Sequence, residues 1–324
     1  MPAVQRPRIM RRAVHGVLLL DKPLGLSSND ALQKAKRLFR AEKAGHTGTL
    51  DPLATGLLPL CFGAATKFSQ VSLDADKRYT ATLKLGLTTT TADAEGEVLE
   101  RCGVDVTRAR FEAACVQFTG AIHQTPPMHS ALKRDGKPLY EYARAGIEVE
   151  REARAVTIHR IGLIDGDHDR WTIDVRCSKG TYIRTLAEDI GRVLGCGAHL
   201  SALRRTGSGA LTLDGAHTLE QLAAMTEAER DAQLMDADAL LADWPLLRLG
   251  TEDAGRFLSG LRRRVPMPDA PHVRVYGPEP KAFLGGGHIT AGELISTRLL
   301  SPVEVQGLLT PQAPGPVSPG PVSP

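Results

Sequence analysis

The chain has 324 residues, of which 42% are hydrophobic, and this length is enough for about two domains. Its formal net charge of +3 neither requires nor excludes a polyanionic partner. Positive charges cluster in four runs, which are typical either of a solvated surface or of nucleic-acid contact. The runs cover residues 6–12, 34–43, 133–154 and 262–264.

The cysteines and the apolar segments exclude several classes of protein. Five cysteines occur without a CxxC pair, which argues against a disulfide framework and against a zinc site. The N-terminus lacks the apolar region of a signal peptide, and no stretch approaches the roughly 20 apolar residues of a membrane span. We therefore expect a soluble protein of the reduced cytoplasm with no membrane association.

The first predicted elements are a strand and a helix joined by a turn. Residues 17–20 form an apolar run, and Pro23 and Gly25 stop regular pairing soon after it. Ser27, with its two neighbours at 28 and 29, can cap a helix over residues 30–39, in which apolar residues recur at helical spacing.

Later segments predict a mixed α+β domain. Apolar side chains alternate from Tyr79 to residue 85, which is typical of a half-buried strand. Two more strands are predicted at 155–164 and 171–177, and two helices at 185–194 and 218–224.

Composition also predicts the domain boundaries. Residues 124–154 are rich in proline, glycine and charge, and we interpret them as an excursion from the core. A boundary is expected at 240–245, followed by a strand-like segment to about residue 309. Residues 310–324 end in a tandem GPVSP and should be disordered, because such a tail cannot bury a core.

The stretch GHTGTLDPLATGLLP, residues 45–59, is the most informative for chemistry. Its glycines and prolines predict a rigid loop and preclude a long regular element. Asp51 precedes Pro52, which favours extended backbone and presents the carboxylate from a stiff turn. Taken alone, the stretch favours a turn or capping aspartate over a catalytic one, and a hydrogen-bonded loop histidine at His46. Neither a GxxxxGK[ST] nor a GxGxxG motif is present, so a nucleotide cofactor finds little support.

Five ordered blocks resemble the TruB family of tRNA pseudouridine synthases. The blocks are DKPLGLSS at 21–28, GHTGTLDPLATGLLP at 45–59, KRY at 77–79, SKGTYIRT at 178–185 and LRR at 203–205. The resemblance covers about residues 14–240, and a long multi-residue block is far more specific than a short pattern.

The resemblance implies a fold and a domain order. It implies an α+β pseudouridine synthase catalytic domain over residues 14–240, with a mixed, largely antiparallel sheet, after a basic N-terminal arm at 1–13. Residues 124–154 correspond to the family's RNA-gripping insertion. A small, β-rich, PUA-like domain is implied at 245–309, where the sequence signature is weak.

The resemblance also implies the catalytic residues. Asp51 matches the essential aspartate, which attacks the sugar or the base, or takes a proton, during cleavage of the N-glycosidic bond. Arg184 matches the active-site arginine and is expected to keep Asp51 ionised through two parallel hydrogen bonds. Tyr79 matches the aromatic residue that stacks on the target base, and its phenol is a candidate for removing the proton from carbon 5.

Five further residues are implied as substrate-binding candidates: His46, Lys22, Lys179, Tyr182 and Leu203. His46 would hold the RNA loop open after the uridine is flipped. Lys179 and Tyr182 would contact phosphate or base, with Leu203 as an apolar wall. Lys22 is expected to order the motif loop or to contact backbone and not to take part in the chemistry.

The implied activity is isomerisation of uridine 55 in the T-loop of tRNA to pseudouridine. No cofactor and no metal are expected, because the rearrangement keeps every atom of the substrate. The alternatives are a non-catalytic tRNA-binding or folding chaperone and a guide-dependent synthase. The insertion and the lack of a long Lys-rich tail favour a stand-alone enzyme, with no obligate protein partner and, by family expectation, a monomer.

Overall fold

The structure is a computed structural model that describes residues 10–280 and 282–310. The bounds of the β-strands are β1 Gly16–Lys22, β2 Ala44–His46, β3 Ala54–Phe62, β4 Lys77–Leu85, β5 Leu87–Thr89, β6 Val98–Arg101, β7 Gly120–Gln124, β8 Lys133–Arg134, β9 Lys137–Pro138, β10 Arg154–Asp167, β11 Arg170–Cys177, β12 Ala198–Ser208, β13 Leu211–Thr212, β14 Leu246–Arg248, β15 Arg263–Arg264, β16 Ala270–Tyr276, β17 Phe283–Thr290 and β18 Glu293–Leu299. The helices are α1 Ser28–Leu38, α2 Ser69–Asp74, α3 Arg108–Gln117, α4 Leu139–Arg144, α5 Ile183–Leu194, α6 Leu219–Ala224, α7 Glu227–Asp231, α8 Thr251–Leu258 and α9 Pro302–Leu309, with 3₁₀ turns at Gly63–Phe68 and Ala239–Leu241.

The main sheet has the strand order β1-β3-β12-β4-β11-β10-β7, with β2 beside β3 and β13 beside β12. Strands β3 and β12 run parallel, and the other pairs in this order are antiparallel. The predicted mixed, largely antiparallel sheet of an α+β fold is confirmed. Burial alternates along β4 as its sequence predicts, and the predicted strands at 155–164 and 171–177 lie within β10 and β11.

The predicted helices are present with small shifts of their ends. Helix α1 begins at Ser28, and the Ser27 side chain caps it by accepting a hydrogen bond from the Asp30 N–H. The predicted helix at 185–194 is α5, which begins two residues earlier and ends at Leu194, with Gly195 after it in the left-handed region. Since a glycine pays no Cβ penalty there, Gly195 is a natural stop.

The prediction that glycines and prolines keep residues 45–59 out of any long regular element is wrong. Ala54–Phe62 form β3, a nine-residue and almost fully buried strand. Pro59 lacks an N–H, but it lies between the residues of β3 that pair with β12 and those that pair with β2. Its carbonyl still accepts from the Thr47 N–H at 3.0 Å. The rigid loop is therefore confined to the residues between β2 and β3.

A second sheet, of strand order β14-β16-β17-β18-β15, follows in the C-terminal part of the chain. Its core is continuous with one face of the main sheet, because Val17, Leu57 and Phe68 belong to the same buried cluster as Phe257 and Phe283. This confirms a β-rich C-terminal unit, and its PUA-like character stays a prediction.

The ends of the chain and the insertion complete the fold. Of the predicted N-terminal arm the structure describes residues 10–13, and Arg12 pairs there with Asp231. Of the predicted tail it describes Thr310, and residues 311–324 lie outside the described part. The insertion contains the β8–β9 hairpin and α4 and adds no described strand to either large sheet. No helix among the described residues is long and apolar enough to cross a membrane.

Candidate active site

Asp51 lies in the short loop between β2 and β3, and this loop is fastened to α1. The Leu50 N–H donates to the Ser28 hydroxyl at 2.7 Å, and the same hydroxyl donates to the Leu50 carbonyl at 3.0 Å. The Asp51 carbonyl accepts from the Ala54 N–H at 3.0 Å, which closes the turn into β3. The carboxylate is thus presented from a fixed backbone, with 38% of the side chain exposed.

Arg184, in the first turn of α5, brings its guanidinium to this carboxylate. Its Nε lies 3.0 Å from Asp51 Oδ2, although only 5% of the arginine side chain is exposed. The predicted pairing is observed, but the predicted pair of parallel hydrogen bonds to Asp51 is wrong. The other guanidinium nitrogens are engaged elsewhere, because Nη1 donates to the Thr91 carbonyl at 3.3 Å and Nη2 to the His129 carbonyl at 2.6 Å.

Asp93 is a second carboxylate beside Arg184 that sequence reasoning missed. Its Oδ2 lies 3.7 Å from Arg184 Nη1, and 4% of its side chain is exposed. Oδ1 accepts from the Thr91 hydroxyl at 2.5 Å and from the Glu95 N–H at 3.0 Å. The only signal in the sequence was an aspartate in a threonine-rich turn.

The pKa of Asp51 depends on its burial and on these neighbouring charges. Burial raises the pKa of Asp51, Asp93 adds to the increase, and the Arg184 guanidinium opposes it most strongly. The prediction that Arg184 favours the ionised carboxylate holds for its own contribution. Burial nevertheless outweighs it, so the net shift of the pKa is upward.

Two cavities meet at Asp51 and Arg184. The smaller one, of about 280 Å³, is lined by Tyr79, Lys179, Tyr182 and Leu203 of the predicted site. The larger one, of about 560 Å³, is lined by His46 and by His129, Tyr140 and Arg144 of the insertion. The fold therefore brings together every predicted site residue except Lys22 around one carboxylate.

Tyr79 stands in β4 with its phenol beside Arg205. Tyr79 is 9% exposed and belongs to the main hydrophobic core, so its packing role and its place in the smaller cavity coexist. Burial raises the pKa of the Tyr79 phenol, while a hydrogen bond and the charge of Arg205 oppose the increase.

Arg205 and Lys77 are buried cations at the smaller cavity, and sequence reasoning gave neither a role. Arg205 is 1% exposed and donates from Nε to the Leu57 carbonyl at 2.6 Å and from Nη2 to the Gly48 carbonyl at 3.3 Å. Lys77 Nζ donates to three carbonyls at the C-terminal end of α2, those of Ser72 and Leu73 in the helix and of Ala75 just after it. Both belong to sequence blocks that carry the family resemblance, which was the available signal.

Lys22 was predicted to bind substrate, and its position contradicts this. The residue is fully buried, and Nζ donates to the Pro23 carbonyl at 2.8 Å and to the Leu26 carbonyl at 2.6 Å. The ammonium thus orders the turn between β1 and α1. This agrees with the other expectation for Lys22, that it orders the motif loop or contacts backbone. Burial lowers its pKa to about 8.

The remaining candidates differ in their contacts. Lys179 Nζ pairs with Asp74 Oδ1 at 2.8 Å on the exposed rim of the smaller cavity. Tyr182 is the N-cap of α5 and is held through its backbone by Gln124. His46 is partly buried, and its Nδ1 has no hydrogen-bond partner among the residues that the structure describes. Burial and the nearby Arg205 charge lower the pKa of His46.

No group of three or more His, Cys, Asp or Glu side chains within the described ranges could hold a metal ion. All five cysteines carry free thiols, and burial raises the pKa of Cys61 to about 12.

Models of known protein families match most of the chain. A model of the N-terminal domain of TruB family pseudouridylate synthases matches residues 36–183, and one described as the tRNA pseudouridylate synthase B C-terminal domain matches residues 184–242. The second segment includes β12, which lies between β3 and β4 in the main sheet. The two matched segments therefore share one sheet.

Curated proteins named tRNA pseudouridine synthase B are similar over nearly their whole length. The chain is 60% identical over 319 residues to that of Verminephrobacter eiseniae, which covers 96% of each chain. It is 62% identical over 305 residues to that of Ralstonia nicotianae, which covers 91% of this chain and 97% of the relative.

Solved structures share the fold. A structure of an H/ACA RNP bound to a substrate RNA containing 2'-deoxyuridine matches with a TM-score of 0.68 at 23% identity, over 90% of this chain and 86% of that chain. The archaeal Nop10–Cbf5 complex matches with a TM-score of 0.67 at 22% identity, over 93% and 90%. These structural matches concern the fold, and the family models and the relatives at about 60% identity establish the family. The chain belongs to the TruB family of pseudouridylate synthases and is an isomerase.

Proposed function

We propose that this chain converts uridine 55 in the T-loop of tRNA to pseudouridine. The observation that carries the proposal is the Asp51–Arg184 pair, with Oδ2 and Nε 3.0 Å apart at the junction of two cavities. Relatives at about 60% identity are named tRNA pseudouridine synthase B. A carboxylate in this setting suits a nucleotide that has been flipped out of its stack.

The conversion of uridine to pseudouridine requires one well-placed carboxylate. Uracil leaves the sugar through N1, rotates and rejoins through C5, so that a C5–C1′ bond replaces the N1–C1′ bond. C5 loses its proton and N1 takes one up, which makes the product an isomer of the substrate. Asp51 either attacks the sugar or the base, or takes a proton, while the bond to N1 is broken. Tyr79 stacks on the base, and its phenol takes part in removing the proton from C5. No cofactor enters this scheme.

Recognition of the RNA is assigned to the rim of the two cavities and to the insertion. Lys179, Tyr182 and Leu203 contact the flipped nucleotide, and His46 holds the loop open. In the insertion, Arg144 lies over the Tyr140 ring at 5.3 Å and Lys137 over the Tyr142 ring at 4.8 Å, which gives cations for phosphate beside rings for unstacked bases. Binding should therefore weaken as salt is added.

The test uses unmodified tRNA carrying tritium at C5 of uridine. Wild-type protein should release tritium from one T-loop position, and Asp51→Asn should abolish release while it still binds tRNA. Asp167→Asn is the matched control, because that side chain is 84% exposed in the β10–β11 hairpin. Undiminished release by Asp51→Asn would remove Asp51 from the mechanism.

The rival function is a tRNA-binding or folding protein that does no chemistry. Binding without any release of tritium from the wild type would favour it. We also propose that the enzyme acts as a monomer without an obligate protein partner, and that residues 245–309 form a PUA-like domain. Conversion by the purified chain alone, together with its mass in solution, tests the first of these.

A further inference from the structure

The insertion joins the main sheet at two residues that face each other, Gln124 at the end of β7 and Arg154 at the start of β10. Between these ends, the backbone passes over the site: His129 lines the larger cavity, and Ser130 lines both cavities. A displacement of the insertion would therefore move His129 and Ser130, which line the cavities beside Asp51.

Gln124 ties this junction to the start of the catalytic helix α5. Its side-chain Oε1 accepts from the Tyr182 N–H at 3.0 Å, and its Nε2 donates to the Tyr182 carbonyl at 3.2 Å. Tyr182 is the N-cap of α5 and receives no capping bond from its own side chain. The Gln124 amide thus bonds both the N–H and the carbonyl of Tyr182, as the backbone of an adjacent strand would, and fixes where the helix begins.

Arg184 makes the second contact with the insertion, through Nη2 and the His129 carbonyl at 2.6 Å. The same guanidinium presents Nε to Asp51. Because a guanidinium is a rigid planar fork, a shift at the nitrogen that faces His129 is transmitted to the nitrogen that faces Asp51.

Both contacts are made by buried side chains, so the loss of either should be costly. Gln124 is 2% exposed and Arg184 is 5% exposed, so neither lost bond is easily replaced by water. Gln124 is also too buried to reach a docked RNA. A loss of Gln124 is for this reason expected to act on the rate and to leave the grip on RNA in place.

We propose that Gln124 and the His129 carbonyl latch the insertion to α5, so that the engaged insertion sets the positions of Tyr182 and Arg184 beside Asp51. Gln124 is a positioning residue in this arrangement. The latch rests on the proposed function, since it concerns the same carboxylate and the same RNA. It gives the insertion a second task besides holding tRNA.

The experiment measures single-turnover release of tritium from C5-labelled tRNA at saturating enzyme, together with the Kd for tRNA. Gln124→Met keeps the length of the side chain and removes both hydrogen bonds. Its rate should fall by about 10-fold to 100-fold, the loss that a displacement of about 1 Å can cause. Its Kd should stay within about threefold of the wild-type value.

A pH profile separates positioning from a purely structural effect. Arg184 is the strongest influence that lowers the pKa of Asp51, so a displaced guanidinium should move the acid limb of the rate profile to higher pH. Gln117→Met, at an exposed glutamine of α3, is the matched control and should keep the wild-type rate and acid limb. Gln124→Asn, which keeps the amide on a side chain that is too short, serves if the methionine variant does not fold.

Two results would overturn the latch. One is a Gln124 variant with the wild-type rate and acid limb at saturation. The other is a variant whose defect lies in Kd alone and disappears when the tRNA is fully bound. Absence of release by the wild-type chain is a different outcome, because it contradicts the proposed function itself.

Discussion

Asp51 carries a carboxylate whose pKa is pulled in two directions. Burial and the neighbouring Asp93 raise it, and Arg184 and Lys22 lower it. A carboxylate that acts as a nucleophile or a base must be ionised. The activity should therefore be lost, on acidification, at a higher pH than an exposed aspartate would give.

We predict that the acid limb of single-turnover conversion lies above the ordinary aspartate value of 3.8. Arg184→Met removes the largest influence that opposes the increase, so its residual activity should show a limb at still higher pH. Rates measured from acid to neutral pH on the wild type and on Arg184→Met test both statements. A wild-type limb at or below the ordinary value would contradict the environment described for Asp51.

Lys22 gives a prediction about stability. Its folded-state pKa of about 8 lies below the ordinary 10.5 of the unfolded chain. Between these values the unfolded chain holds a proton that the native protein has released, so the contribution of Lys22 to stability rises with pH.

The free energy of unfolding of the wild type, minus that of Lys22→Met, should thus increase as the pH is raised from about 8 to 10.5. Urea denaturation at several pH values measures this difference. Lys34→Met, at an exposed position of α1, is the control and should show a flat difference. A flat difference for Lys22→Met as well would mean that its ammonium stays charged over this interval.

At the scale of elements, β3 shows how a glycine can belong to a buried strand. Gly56 has φ of +97°, and a Cβ at this position would lie 2.3 Å from the Arg205 carbonyl oxygen and 2.9 Å from the Arg205 nitrogen. The close, parallel approach of β3 and β12 therefore requires a residue without a side chain.

We predict that Gly56→Ala lowers the free energy of unfolding by more than about 2 kcal/mol, because backbone strain and a backbone clash add together. Gly195→Ala separates the two effects: Gly195 has φ of +81°, but apart from its chain neighbours no atom of the described residues lies within 4 Å of its Cβ position. It should lose only about 1 kcal/mol, from the strain alone. Equal losses in urea denaturation would show that the approach of β12 is not what requires Gly56.

At the scale of the molecule, the second buried cluster joins the main sheet to the C-terminal sheet. Phe68 is 3% exposed, and its ring centroid lies 5.2 Å from that of Phe283. Lys67 reinforces the junction by donating to the Leu299 carbonyl at 2.9 Å and by pairing with Glu304 at 2.6 Å. One shared core predicts that the two sheets unfold together.

Phe68→Ala should lower the free energy of unfolding by about 3–5 kcal/mol, the usual loss for a buried phenylalanine. The chain contains two tryptophans, Trp171 in β11 and Trp244 beside the C-terminal sheet. Single-tryptophan variants therefore report each part by fluorescence. Both reporters should give one midpoint, in the wild type and after Phe68→Ala. Separate midpoints in the wild type would mean that the shared core does not couple the sheets.

Several features could be predicted from the sequence because they depend on neighbouring residues. Alternation along β4 follows from the two-residue repeat of a strand, and the Ser27 cap follows from the side chain next to the first turn of α1. The importance of Asp51 and Arg184 came from the resemblance of long blocks. From the residues alone, the stretch around Asp51 favoured an ordinary turn.

The tertiary structure alone decided which distant groups meet. It brought Asp93 and the His129 carbonyl to Arg184, and Arg205 to the Tyr79 phenol. It also buried Lys22 in the turn between β1 and α1. It also made residues 54–62 a strand, because β1 and β12 supply the hydrogen bonds that local composition argued against. Local patterns fix which residues favour a strand, a helix or a turn. Contacts between segments far apart in the chain depend on how those elements pack, and no single segment determines that packing.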